Sequence, residues 1–350
     1  MATPSSSSSQ PAVEQKELKS PSDMQSSDYY FESYAHFGIH EEMLKDEVRT
    51  RTYRDAIIHN PQLFRGKIVL DVGCGTGILS MFAVQAGASH VFAIDCSAII
   101  ESARSIVEEN GFKDQITLIR GKVEELDLPV DKVDIIVSEW MGYCLLYENM
   151  LESVLVARDR WLKPDGILLP DVARMMICGI EDAEYRATKI DFWDNVYGFK
   201  MSCLKKEALQ EPLVDICDAQ QVMTDLVEFR NFDLKTVKKE DLAFKVPFAL
   251  KATRHDTMHA AVVYFDVMFT HGSRVLTIST SPLLRSTHWK QTVFYIPTPM
   301  YIAANDGIVG TFELTPNEKN RRDMDINIEY EHRTAQGKFV EKQVVEYKLR

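Results

Sequence analysis

The sequence predicts an α/β unit built on an open, doubly wound parallel sheet, followed by a separate all-β unit of sandwich or barrel type. Three observations carry this. From Lys67 to about Pro170, short β-branched apolar runs alternate with helical patterns, as a chain of βαβ units requires. Inside that stretch a glycine-rich turn, Gly73-Cys74-Gly75-Thr76-Gly77, joins an apolar strand to a helix. Beyond about residue 212, period-2 alternation with turn signals replaces the helical texture.

Residues 1–27 are rich in Ser, Pro and Gln, with a serine run from Ser5 to Ser9, and bury too little apolar surface to order themselves. Order is expected to begin at Asp28, where Tyr29, Tyr30, Phe31, Tyr34 and Phe37 either anchor a core or wall a site. His40 to Asn60 reads as a helix with a break, its apolar stripe being Met43, Leu44, Val48, Tyr53 and Ile57, stopped by Pro61. Ile68–Val72 is a buried parallel strand, and a helix runs on from the glycine turn to Ala86. His90–Ile94 is the next strand, ending in Asp95, with Ser97 available to cap a helix to Asn110. Ile116–Ile119 and Val133–Val137 are further strands. A helix from Asn149 to Leu162 is closed by Lys163-Pro164-Asp165-Gly166, and a strand follows from Ile167.

The alternation ends near Pro170, and a boundary is expected between about 170 and 180, so that residues 28–175 form one domain and 176–350 the next. Residues 181–210 look helical and carry Tyr185, Phe192, Trp193, Tyr197 and Phe199. Strand-like runs after that include Ala261–Val267, Thr292–Ile296 and Met324–Tyr330.

Composition narrows the class. The chain of 350 residues is 45% hydrophobic and 26% charged, suited to a soluble globular protein with sizeable cores. A net charge of −12 argues against phosphate-backbone binding and favours basic partners, so no direct nucleic-acid partner is expected. Cys74, Cys96, Cys144, Cys178, Cys203 and Cys217 form no C-x-x-C pair, so neither a disulfide framework nor a metal site is expected. No apolar run approaches the ~20 residues of a membrane span. The N-terminus lacks a signal-peptide pattern, and Ala2 stands where myristoylation needs glycine. A soluble, intracellular protein is the expectation.

Two segments carry chemistry. Glu139 and Glu148 bracket the otherwise apolar and aromatic run Trp140 to Tyr147. On a continuous helix they would face opposite ways, so they converge only if the segment doubles back, for which Gly142 offers a flexible position. Converged, they form a receptor for one cationic, many-donor group, and guanidinium fits best. The alternative is two unrelated charges on a surface loop. The glycine turn marks a nucleotide crevice at the carboxyl ends of the strands. Asp95, ending the next strand, is placed to accept from ribose hydroxyls, and Glu124, after the third, from an adenine amino group.

Val69-Leu70-Asp71-Val72-Gly73-Cys74-Gly75-Thr76-Gly77 resembles the class I, Rossmann-like S-adenosylmethionine-dependent methyltransferases. Tyr30-Phe31-Glu32-Ser33-Tyr34, the segment Ser138 to Glu148, and Ser286-Thr287-His288-Trp289-Lys290-Gln291-Thr292 narrow the resemblance to the type I protein arginine N-methyltransferases, over about residues 28 to 350. The resemblance implies S-adenosyl-L-methionine as cofactor, with S-adenosyl-L-homocysteine as product. It implies a β-barrel substrate domain and a helical dimerisation arm at about 181–205, giving a head-to-tail homodimer or higher oligomer. Glu139 and Glu148 would hold the substrate guanidinium, and His288, paired with Asp46, would receive the released proton. A lone histidine in a strand is ordinarily structural, so that role rests on the resemblance alone.

By the same likeness Arg49 pairs the methionyl carboxylate, His40 and Met43 lie over the cofactor, Gly73 approaches it closely, Asp95 holds the ribose and Glu124 the adenine. Asp95 is a departure, because these relatives usually carry glutamate there; altered cofactor affinity is expected. Met43 and Met150 match positions that leave room for a second methyl on one nitrogen, implying asymmetric dimethylarginine. Arg/Gly-rich proteins, RNA-binding proteins and histone tails are the implied substrates, in nucleus and cytoplasm. The competing readings are a cofactor-binding scaffold with little activity, disfavoured by the intact glutamates and glycine turn, and a small-amine methyltransferase.

Overall fold

A computed structural model describes residues 34–350; the serine-rich tail and the aromatics Tyr29, Tyr30 and Phe31 lie outside the described residues. Two helices lead in, α1 (Phe37–Lys45) and α2 (Glu47–Ile58). The expected break falls at Asp46, whose backbone is extended and whose side chain caps α2 by accepting from Arg49 N. A single turn, α3 (Pro61–Phe64), follows, with proline at its first position, where a missing N–H costs nothing.

The α/β alternation is then β1 (Ile68–Val72), α4 (Ile78–Gln85), β2 (His90–Asp95), α5 (Ile99–Glu109), β3 (Ile116–Arg120), β4 (Val133–Ser138), α6 (Met150–Trp161) and β5 (Leu162–Leu169). These strands form one parallel sheet in the order β3-β2-β1-β4-β5. Strand order reverses at β1, so the crevice lies at the carboxyl ends of β1 and its neighbours. Two local expectations are corrected. Ala98 occupies the N-cap of α5, because Ser97 N and Oγ both donate to Asp95 Oδ1 at 2.8 and 2.7 Å. Lys163 to Gly166 do not separate helix from strand: Leu162 turns extended directly after α6, and Lys163 is drawn to Asp134 at 2.7 Å.

At Val172 the architecture changes. The remaining strands are β6 (Val172–Ile180), β7 (Leu213–Asp215), β8 (Val227–Asp233), β9 (Phe244–Lys251), β10 (Asp256–Phe269), β11 (Leu276–Ser279), β12 (Gln291–Ile302), β13 (Gly307–Pro316), β14 (Met324–Arg333) and β15 (Phe339–Leu349). One antiparallel sheet runs β7-β12-β10-β6-β8 with β11 beside β10, and the other β15-β14-β13-β9. Phe294 of β12 meets Phe312 of β13 and Tyr347 of β15 edge to face, with ring centroids 6.0 and 5.0 Å apart, so the sheets share one core.

β14 alternates buried and half-buried as its sequence predicts. β10 does not: Met258 to Phe265 are all buried, so this central strand, paired along its edges by β6 and β12, is covered on both faces. The helical stretch 181–210 is interrupted. It consists of α7 (Ala183–Lys189), a 3-10 turn at Asp191–Asp194 and α8 (Ser202–Gln210). Between the last two, Tyr197 and Gly198 adopt positive φ and Asn195 Oδ1 accepts from Gly198 N at 2.8 Å, a geometry no helix continues through. No helix among the described residues is long and apolar enough to cross a membrane.

Candidate active site

A cavity of about 510 Å³ opens where α1, α2, the carboxyl ends of the parallel strands and two loops meet. That volume is within the roughly 300–1,000 Å³ of small-molecule and cofactor sites. His40, Met43, Arg49, Gly73, Asp95, Glu124, Glu139, Glu148 and His288 all line it, so the sequence-nominated residues are brought to one place.

One end is built by the glycine turn. Gly73, Gly75 and Gly77 have φ of +73°, +53° and +83°, conformations that side chains resist. Gly73 N and Cys74 N donate to Ile94 O at 2.9 and 3.0 Å, fastening the turn to β2. A Cβ on Gly73 would lie 2.2 Å from Met150 Cε, so the methionine tip packs directly on the glycine backbone. Asp71 does not line the cavity. It is fully buried beneath the turn, accepting from Ser80 Oγ at 2.7 Å, and burial lifts its carboxyl to about 7.

Asp95 lines the cavity at the end of β2, but its bonds turn back to the protein. Oδ2 accepts from Gly75 N at 2.9 Å, and Oδ1 from Ser97. A carboxylate offers about four acceptor positions, so these three bonds leave little for a diol unless the Ser97 turn shifts. Glu124 Oε1 accepts from Ser153 Oγ at 2.5 Å.

At the other end the two-glutamate segment does double back, though not by the expected device. Gly142 has no positive φ. The left-handed residues are Cys144, Leu145, Glu148 and Asn149, at φ of 51°, 67°, 69° and 55°. Each costs about 1–2 kcal/mol relative to ordinary backbone, so the loop is held by its surroundings. Gly142 is needed for a different reason: a Cβ there would sit 1.9 Å from Tyr147 O.

The segment is pinned at several points. Ser138 Oγ donates to Val72 O at 2.7 Å, Tyr53 OH to Ser138 O at 2.9 Å, and Trp289 Nε1 to Met141 O at 2.8 Å. Arg49 Nε and Nη2 both reach Glu139 Oε2 at 3.0 Å in a nearly buried pair. Arg49, nominated for a cofactor carboxylate, is therefore also the counter-ion of Glu139. Tyr34 OH donates to Glu148 Oε2 at 2.8 Å.

His288 lies in the turn before β12 and not in a strand. Asp46 Oδ2 accepts both His288 N, at 2.9 Å, and Nδ1, at 2.7 Å, while Oδ1 takes Arg49 N at 3.0 Å. Donation by Nδ1 leaves Nε2 as the acceptor of the neutral ring. Burial raises the Asp46 carboxyl, but the bonds from His288 and Arg49 outweigh it and hold the group below its usual range. This contribution to stability is present at neutral pH and is lost only as pH falls below the ordinary carboxylate value through the depressed one.

Sequence reasoning placed Tyr34 among the aromatics that anchor a core or wall a site but not as the donor to Glu148, and it missed Tyr143 and Arg322 in the lining. Tyr34 belonged to a motif that was noticed, whereas Arg322 sits in a turn with no local signal.

The lining suits a nucleoside cofactor beside a cationic substrate group: acids at the end of β2 and after β3, the glycine turn between them, and the carboxylates of Glu139 and Glu148 beyond it. The comparisons agree. Residues 69–166 match the methyltransferase domain family and 171–336 the arginine methyltransferase oligomerization subdomain. "Protein arginine N-methyltransferase 1" of Chlamydomonas reinhardtii is 55% identical over 94% of both chains. The Schizosaccharomyces pombe protein of the same name is 58% identical over 87% of this chain and 89% of its own. Among solved structures, the "Trypanosoma brucei PRMT1 enzyme-prozyme heterotetrameric complex with AdoHcy" superposes with a TM-score of 0.88 at 46% identity, over 91% of this chain and 100% of that one. With these similarities, and a fold and cavity to match them, the chain belongs to the protein arginine N-methyltransferase family.

Proposed function

We propose that the protein is a type I arginine methyltransferase, moving methyl groups from S-adenosyl-L-methionine to guanidino nitrogens of protein arginines to give monomethyl and asymmetric dimethylarginine. The observation that carries this is the placement of Glu139 and Glu148 on the same cavity as the glycine turn. When bound, the cofactor supplies an electrophilic methyl on a sulfonium sulfur. The protein's task is to orient the nucleophile. Arginine has a pKa above ~12 and arrives protonated, so its charge must be drawn to one side while another nitrogen is aimed at the methyl.

Glu148 and Glu139 provide those acceptors through charge-assisted hydrogen bonds. Tyr34 fixes the direction of Glu148, and Arg49 fixes that of Glu139. His288, held by Asp46, presents Nε2 as a base for the proton that the guanidinium releases. Arg/Gly-rich proteins, RNA-binding proteins and histone tails are the substrate class we infer, in nucleus and cytoplasm. An acidic protein steers such basic chains, an attraction that weakens with salt.

The test is incubation with labelled cofactor and an Arg/Gly-rich peptide, with methylated arginines identified by mass spectrometry. Asymmetric dimethylarginine is expected; normal cofactor binding without transfer overturns the reading. Met43 lines the same cavity as the two glutamates. The larger ring of Met43→Phe is expected to lower the share of asymmetric dimethylarginine in favour of other products, and an unchanged distribution removes the steric argument.

We also infer a dimer made through the segment 183–210. Phe192, Tyr197 and Phe199 are 45%, 96% and 70% exposed, more apolar surface than an isolated arm leaves in water without a partner. Its base is rigid: the buried Arg186 donates to Ile296 O at 2.6 Å and Pro297 O at 2.7 Å. Sedimentation is expected to give a dimer or larger species, whereas a fully active monomer counts against the arm's role.

A further inference from the structure

We propose that Arg322, on the β13–β14 hairpin, is a positioning residue that holds Glu148 in its working geometry from the antiparallel unit. The proposal rests on the methyltransferase reading of Glu148. Arg322 grips the glutamate's main chain from both sides. Glu148 N donates to Arg322 O at 2.8 Å, and Arg322 Nη1 donates to Glu148 O at 2.7 Å. Glu148 and the next residue, Asn149, are the two left-handed non-glycine positions immediately before α6. Such backbone persists only where its surroundings determine it, and the direction of the Glu148 carboxylate follows from it.

The hairpin is stiff enough for this. Asn317 Oδ1 accepts from Lys319 N and Asn320 N at 3.0 and 3.2 Å, and Asn317 N donates to Asp323 O at 2.9 Å. Asn320 Nδ2 donates to Asp323 Oδ1 at 2.8 Å, and Asn320 Oδ1 accepts from Arg322 N at 3.3 Å. A second tether runs in parallel, since Arg321 and Lys239 both pair with Glu152 in the first turn of α6. Arg322 also lines the cavity, so the residue stands at the site it orders. A charged donor on a main-chain carbonyl is stronger than a neutral one, which is why arginine suits the position.

The test is steady-state kinetics of Arg322→Ala and Arg322→Lys beside the wild type, with cofactor affinity by calorimetry and melting by circular dichroism. Wild-type transfer to the peptide checks the underlying reading separately. Arg322→Ala is expected to lower kcat roughly 10- to 100-fold, the scale of a misplaced reacting group, while cofactor Kd stays within about threefold. Arg322→Lys, which keeps a charged donor, is expected to recover much of that loss. The proposal is overturned if Arg322→Ala keeps wild-type kcat, or if kcat and cofactor affinity fall together and lysine restores neither. Should the alanine variant fail to fold, Arg322→Met, which keeps the apolar stem, is read by the same criteria.

Discussion

Glu148→Gln is expected to bind the cofactor normally and to lose turnover by roughly 30- to 5,000-fold. The range follows from truncating one partner of a desolvated charge pair, about 2–5 kcal/mol, at about 1.4 kcal/mol per factor of ten. Glutamine keeps the shape and can still accept from Tyr34 OH, which lies 2.8 Å from the glutamate. The cofactor end of the cavity, built on Gly73, Asp95 and Glu124, is on different elements and is untouched. What disappears is the charge that localises the substrate cation, so kcat falls without a matching change in cofactor Kd. Calorimetry with the cofactor and single-turnover transfer to peptide separate the two quantities. A variant that turns over at near wild-type rate removes Glu148 from the mechanism. Glu139 gives a less clean experiment, because its partner Arg49 would be left buried and unpaired.

The parallel half of the molecule was legible because its signals are local. A β-branched run followed by closely spaced glycines specifies a strand, a turn and a helix, and the acids at the end of β2 and after β3 come with the pattern. The two-glutamate loop was legible as chemistry once the Thr-His-Trp segment and the glycine turn were set beside it, since on its own it read equally as two unrelated surface charges. Its mechanism of folding was not. Sequence reading made Gly142 the flexible point of the fold-back, whereas Cys144, Leu145, Glu148 and Asn149 take the left-handed conformations and Gly142 serves a close backbone approach. Positive φ at non-glycine residues is imposed by tertiary contacts, and those leave no mark on local sequence.

The same holds for pairs that are far apart in the chain. Asp46 and His288 are 242 residues apart, and Arg322 and Glu148 are 174 apart. Resemblance to a family supplied the first pair, and only the fold supplied the second. Asp95 shows a further limit: its place at the end of β2 was readable, but its engagement with Gly75 N and Ser97 depends on how the two loops fold around it. The apolar run in β10 misled in the other direction, since a strand covered on both faces carries no usable alternation.

The tight packing around Gly142 leads to the second large effect. Gly142→Ala is expected to lower kcat about 100-fold and to reduce thermal stability, while leaving the cofactor end in place. A Cβ at 1.9 Å from Tyr147 O, and 2.7 Å from Tyr147 C, meets main chain and not a yielding side-chain tip. Restoring an ordinary contact of 3.4 Å requires about 1.5 Å of movement, the difference between those distances. That shift cannot be absorbed on the Gly142 side, where Gly142 N is bonded to Leu145 O at 3.0 Å and Trp289 holds Met141 O. It must go into Tyr147 and therefore into Glu148, the next residue. Overpacking of this kind typically costs about 1–3 kcal/mol in stability, and displacing a catalytic group by ~1 Å costs about 10²-fold in rate. The two penalties are separable, because melting reports the first and kcat on the folded variant reports the second. If alanine is accommodated with kcat within about threefold of wild type, the geometry of this loop does not set the rate, and the placement of Glu148 matters less than its charge.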